Sequence, residues 1–152
     1  MAASIVRGRL WLNLNCRGFA LRRTAGLALL LCVAGCGSGF VRDCLLDGPY
    51  RLVAVDLPED MILCRSIGTT GDCVGVGPGA TIFQAGYNAN YIVLARPPRE
   101  WPKQANRSIS EFYYVIRSSK EAVVGPMDKL EYDREKQRLG LPDFSRVFDD
   151  LK

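Results

Sequence analysis

One thiol in this chain stands where its type and spacing suit a specific reaction. Val33-Ala34-Gly35-Cys36 closes an apolar run that begins at Leu27, with Arg22 and Arg23 just ahead of it. Small side chains at Ala34 and Gly35 let extended backbone enter a protease cleft, and the sulfur of Cys36 can form a thioether. Three further cysteines lie beyond it: Cys44, Cys64 and Cys73. Cys64 and Cys73 flank a turn-rich connector, and a bridge closing that loop would contribute about 2 to 3 kcal/mol; Cys44 could equally pair with either. Acid–base groups are few. The chain has no histidine, so proton transfer at neutral pH would fall to carboxylates or a shifted lysine. Asp56, Glu59 and Asp60 form the one acidic cluster close to the strands, and its plainest reading is a solvated turn. With no histidine and no Cys-x-x-Cys spacing, no zinc site and no cofactor are expected.

Gly75-Val76-Gly77-Pro78-Gly79-Ala80 has the alternating glycines of a loop that cradles phosphate with backbone N–H groups. Its context is wrong for that: Thr81-Ile82-Phe83 follows, β-branched and aromatic, where such loops open a helix or end in Gly-Lys-Ser/Thr. It reads as a turn between strands.

The elements around Cys36 divide the chain. Residues 1–35 read as a signal peptide, because the apolar run is about ten residues long, has basic residues ahead and Gly37-Ser38-Gly39 behind. A transmembrane helix would need roughly 20 apolar residues. The arginine-rich, acid-free composition of this stretch also fits a transit peptide. Val33-Ala34-Gly35-Cys36 resembles a bacterial lipobox, in which Val33, Ala34 and Gly35 are the signal-peptidase recognition residues and Cys36 carries the lipid. Acyl chains hold a protein to a bilayer by about 0.8 kcal/mol per buried methylene, so the expected partner is a membrane, anchored through Cys36. The expected location is the bacterial cell envelope. Gly37 is not the aspartate that retains many such proteins in the inner membrane, which favours the outer membrane in a Gram-negative host.

The remaining 117 residues suffice for one domain. All five basic residues of the presequence are arginines, and every acidic residue lies after it, which leaves fifteen basic against sixteen acidic side chains in residues 36–152, net −1. A clustered basic face is therefore not expected, and nucleic acid is excluded as a partner class. Residues 36–48 read as a lipidated tether, 49–142 as a β-rich domain with a C-terminal helix, and 143–152 as a tail. Strands are expected at 50–55, 61–65 and 73–76, a hairpin over 81–96 turning at Tyr87–Tyr91, and a second hairpin from Glu111–Arg117 into Ala122–Val124, broken by Gly125-Pro126. Asp128 and Glu131 form a capping box, and Gly140, Leu141 and Pro142 mark a stop, so a helix runs over about 129–139 with Leu130, Tyr132 and Leu139 as its apolar stripe. The fold class is α+β: a mainly antiparallel sheet of about five to seven short strands with one C-terminal helix.

Gly86-Tyr87-Asn88-x-x-Tyr91-Ile92, then Tyr113-Tyr114-Val115-Ile116, Val124-Gly125-Pro126, the helix and Leu139-Gly140-Leu141-Pro142 resemble a family of small bacterial lipoproteins of unknown function, over roughly residues 47–142. The resemblance implies an envelope location and a compact β domain with a C-terminal helix, and it carries over no catalytic residue. The function expected is a non-catalytic binding or inhibitory module acting on an envelope protein or glycan; an exposed partner-binding patch built from Tyr87, Tyr91 and Trp101 would instead favour an accessory subunit. The alternatives are a structural accessory subunit of an envelope complex and an enzyme built on the Asp56, Glu59 and Asp60 carboxylates.

Overall fold

Alternating apolar positions along short β-prone segments give this chain two antiparallel sheets. The computed structural model describes residues 39–68, 71–100, 103–118 and 120–152. The first sheet has the order β1 (Arg42–Asp47), β2 (Tyr50–Ala54), β3 (Ile62–Ser66) and β4 (Cys73–Gly75). In the second, β8 (Val123–Met127) lies beside β7 (Glu111–Ile116), followed by β6 (Tyr91–Arg96), β5 (Gln84–Tyr87) and β9 (Arg146–Val147). One helix, α1 (Lys129–Leu139), completes a mainly β, α+β fold.

The second sheet is the middle layer. On β6 and β7, Ile92 pairs with Val115 and Leu94 with Tyr113 on one face, and Val93 pairs with Tyr114 and Ala95 with Phe112 on the other. Both sets are buried, as strands covered on both sides must be. The Leu94 face meets the first sheet across Gly77, where an added Cβ would sit 3.2 Å from Leu63 and 3.5 Å from Leu94. The opposite face meets α1 and the chain after it, with Phe112, Tyr132 and Phe144 stacked at centroid distances of 5.0 Å and 5.7 Å.

The helix begins and ends where its caps place it. The Asp128 side chain accepts from the Glu131 N–H at 2.8 Å, Glu131 accepts from the Asp128 N–H at 3.1 Å, and Gly140 takes the left-handed conformation at φ 65°. Leu130 is 63 % exposed and does not join the stripe. Two residues correspond to about 200° around a helix, so Leu130 and Tyr132 point to opposite sides.

Three expectations are corrected by the strand pairing. Residues 36–48 were expected to form a tether, but 42–47 are β1, paired residue by residue with β2, with Cys44 and Leu46 in the core. Its charges, Arg42, Asp43 and Asp47, obscure a strand whose inner face is apolar. Gly125-Pro126 does not end β8: proline lacks a donor but is tolerated on an edge strand, and Gly125, at φ 130°, sits where a Cβ would strike Tyr113 and the Phe112 carbonyl. Nor is 143–152 a tail. A Cβ at position 86 would collide with the Asp143 carbonyl, so glycine there lets the chain cross the sheet closely. Beyond the crossing, Ser145 and Phe148 donate to Ala85 and Phe83, each at 2.9 Å, and Leu151 is buried.

Candidate functional site

The sandwich has two dissimilar ends. At one, Tyr50 and Arg65 face each other across β2 and β3, and the chain leaving β7 supplies Arg117 and Glu121. Tyr50 donates its hydroxyl to Glu121 at 2.8 Å, and Arg65 reaches the same carboxylate oxygen at 2.8 Å. Arg117 pairs with Asp47 at 2.7 Å, donates to the Asn88 carbonyl and lies 5.2 Å from the centre of the Tyr50 ring. Burial, then the hydrogen bond to Glu121, raise the Tyr50 phenol above its ordinary pKa. The disulfide Cys64–Cys73, with Cα atoms 5.6 Å apart, ties β3 to β4 next to Arg65, where Ser66 pairs with Cys73. Cys44, 2 % exposed, takes no part in that bridge. Every charged group named at this end is spent on holding the sheets together.

The other end is open. After β2 the chain makes a 3₁₀ turn at Pro58–Asp60, and after β6 it runs through a long connection, 97–110, before β7. Between them lies a cleft of about 680 Å³, within the roughly 300–1,000 Å³ usual for small-molecule sites. Its apolar lining is Leu57, Pro97, Ala105 and Leu151, and its polar lining is Glu59, Asp60, Thr81, Arg99, Gln104 and Arg107. Asp60 is ion-paired with Arg99, both half-buried, and the pair also lines a second cavity of about 410 Å³ with Arg96. Thr81 is 5 % exposed and holds φ at 74°, its hydroxyl 3.1 Å from the Pro97 carbonyl. A β-branched residue there is strained, and such strain gathers at ligand sites.

The fold leaves several of these side chains unused. Among the described residues no hydrogen bond or ion pair engages the Glu59 or Gln104 side chain, and Arg107 makes a single 3.4 Å hydrogen bond to the Lys152 carbonyl. Asp56, the third member of the acidic cluster, is exposed and does not line the cleft. The glycine loop 75–80 presents carbonyls, not N–H groups, to its charged neighbour: Arg96 donates to Pro78 at 2.9 Å and Ala80 at 3.4 Å. Its polarity is the reverse of a phosphate cradle. Arg96 also pairs with Glu111 at 3.5 Å, and Glu111 accepts from Tyr113 at 2.7 Å. Burial, then that hydrogen bond, push the Tyr113 phenol up to about 12.

The expected tyrosine patch does not assemble. Tyr87 pairs with Ile92, so it shares the Ile92 face of the middle sheet, while Tyr91, one residue earlier on β6, falls on the opposite face against Tyr114 at 5.9 Å. The period of two in a strand separates them. Trp101 lies outside the described residues, as do Val33, Ala34, Gly35 and Cys36. Among the described residues no helix is long and apolar enough to cross a membrane, and no group of three or more His, Cys, Asp or Glu side chains could hold a metal. The cleft was half legible: its acidic wall was singled out as a cluster, but Arg99, Gln104 and Arg107 sit in a polar loop whose return over the 3₁₀ turn has no local signal. No family model, curated protein or solved structure matches the chain.

Proposed function

We propose that this chain is a cell-envelope lipoprotein, anchored to a membrane through acylated Cys36, whose domain is a non-catalytic binding module with the open-end cleft as its ligand site. The single observation that carries the binding reading is a ligand-sized cleft whose polar walls include side chains the fold does not use. The anchoring reading rests on the Val33-Ala34-Gly35-Cys36 motif and on the kinship with small bacterial lipoproteins that the sequence suggests. The carboxylate-enzyme alternative draws on Glu59 and Asp60 lining one cleft, but Asp60 is tied to Arg99, which leaves one disengaged carboxylate where two-carboxylate chemistry needs a pair. The accessory-subunit alternative loses its tyrosine patch with the separation of Tyr87 and Tyr91.

Two mass measurements test this. The intact mass of the protein from its host's membrane fraction is expected to equal residues 36–152 plus acyl chains, and a Cys36→Ala variant is expected to lose both processing and acylation. A full-length, unacylated mass would overturn the anchor. Native mass spectrometry of the same material is expected to show a bound small molecule, absent from an Ala105→Trp variant that fills the cleft. A variant that retains the bound mass would remove the cleft from consideration.

A further inference from the structure

The walls of the cleft carry opposite charges in equal number: Glu59 and Asp60 against Arg99 and Arg107. Asp60 and Arg99 neutralise each other, which leaves one anion without a hydrogen bond or ion pair among the described residues, Glu59, and one cation, Arg107, which makes a single 3.4 Å hydrogen bond to the Lys152 main chain and feels Asp150 at longer range. A purely anionic ligand would satisfy Arg107 and bring a second negative charge to Glu59; a purely cationic one would do the reverse. A ligand bearing both charges satisfies both at once, because each group repels a like charge brought near it and attracts the opposite one. Leu57, 54 % exposed, adds apolar surface to the cleft wall.

Resting on the reading of the cleft as a binding site, we infer that its ligand is zwitterionic: a short peptide with free termini, its carboxylate on Arg107 and its ammonium on Glu59. A guanidinium fits a carboxylate in a two-pronged geometry, and a carboxylate accepts from an ammonium. Gln104 can donate to or accept from a peptide group.

The test uses four peptides on the whole mature chain: trialanine, its N-acetyl form, its C-terminal amide and the doubly blocked form, followed by amide chemical shifts. Trialanine is expected to shift residues 57–60 and 97–107, with each singly blocked form at least tenfold weaker and the doubly blocked form without effect. Arg107→Gln is expected to abolish the preference for a free carboxylate while keeping that for a free amine, and Glu59→Gln the converse. Equal binding of all four at the cleft would overturn the zwitterion and leave the cleft standing. Shifts confined to another face would remove the cleft as the site for this ligand. No shift from any of them would also end the peptide assignment, while the bound mass and the Ala105→Trp variant judge the cleft separately.

Discussion

Among the described residues, each end of the sandwich holds one non-glycine residue in the left-handed region, and the two conformations serve different ends. Glu121, at φ 45°, aims a carboxylate that takes up both the Tyr50 hydroxyl and the Arg65 guanidinium. The cost of that backbone, on the order of 1 to 3 kcal/mol, is offset by two bonds that join the sheets. Thr81, at φ 74°, bears a greater steric conflict because it is β-branched, and its hydroxyl reaches only the carbonyls of Ala80 and Pro97. Around it Glu59, Gln104 and Arg107 contribute little to holding the fold. The closed end spends its charges on joining the sheets, whereas the open end, beside its Asp60–Arg99 and Arg96–Glu111 pairs, keeps Glu59, Gln104 and Arg107 exposed to whatever enters the cleft.

The largest effects should come from dismantling the closed end. Replacing Cys64 and Cys73 together by alanine removes a bridge across nine positions and is expected to lower the unfolding free energy by about 2 to 3 kcal/mol, read from urea denaturation. Arg117→Ala, which deletes the Asp47 pair and the contact over Tyr50, is expected to cost about 2 kcal/mol with an unchanged denaturant slope. If Arg117→Ala were as stable as the parent, the closed end would not be where the sheets are fastened, and the contrast would lose its first half.

Alkaline unfolding compares the interiors beneath the two ends. The Tyr113 phenol, under Arg96 near the open end, and the Tyr132 phenol, buried against Phe112, are both pushed up to about 12. Burial comes first in each; Glu111 adds to it at Tyr113, and Asp133 and Asp143 at Tyr132. A folded-state pKa above the unfolded value near 10 means that the native chain keeps a proton the unfolded chain has lost. Stability from this source is complete below pH 10 and disappears as pH rises through 12, on the order of 2 kcal/mol for each group. Tyr113→Phe and Tyr132→Phe should each flatten the pH dependence over that window. At neutral pH Tyr132→Phe is expected to be stable to within about 1 kcal/mol of the parent, since its hydroxyl is buried with no hydrogen-bond partner among the described residues. An unaltered alkaline profile in Tyr113→Phe would mean that water reaches beneath the open end.

What local chemistry specifies was readable before any coordinates. The capping box at Asp128 and Glu131, the glycine stop at 140, the two-sided burial of β6 and the Cys64–Cys73 bridge all depend on residues close together in the chain or on simple periodicity. What depends on chain return was not. β1 hides its apolar inner face among charges until β2 supplies a partner, and β9 is a two-residue strand that exists because Gly86 lets the chain pass. The cleft combines Glu59 with Arg107, 48 positions away, and no spacing announces that meeting. The tyrosine patch failed for a geometric reason that register alone reveals, since Tyr87 and Tyr91 seem adjacent until pairing assigns them to opposite faces.

The smallest expected effect sharpens the comparison most. Glu59→Gln, which keeps the side-chain shape, and Arg107→Gln, which shortens an exposed side chain, each remove a charge from the open end and are each expected to leave the unfolding free energy within about 0.5 kcal/mol of the parent. That near-silence is itself informative: charged groups that hold a fold cost stability when neutralised, whereas groups held in reserve for a ligand do not until the ligand is present. A loss above about 1 kcal/mol in either variant would show that the side chain belongs to the fold, as Arg117 does. The cleft would then be a second closed end in which Glu59 and Arg107 are structural. A neutral result in both, set beside a marked loss in Arg117→Ala, separates the two ends by the work their charges do.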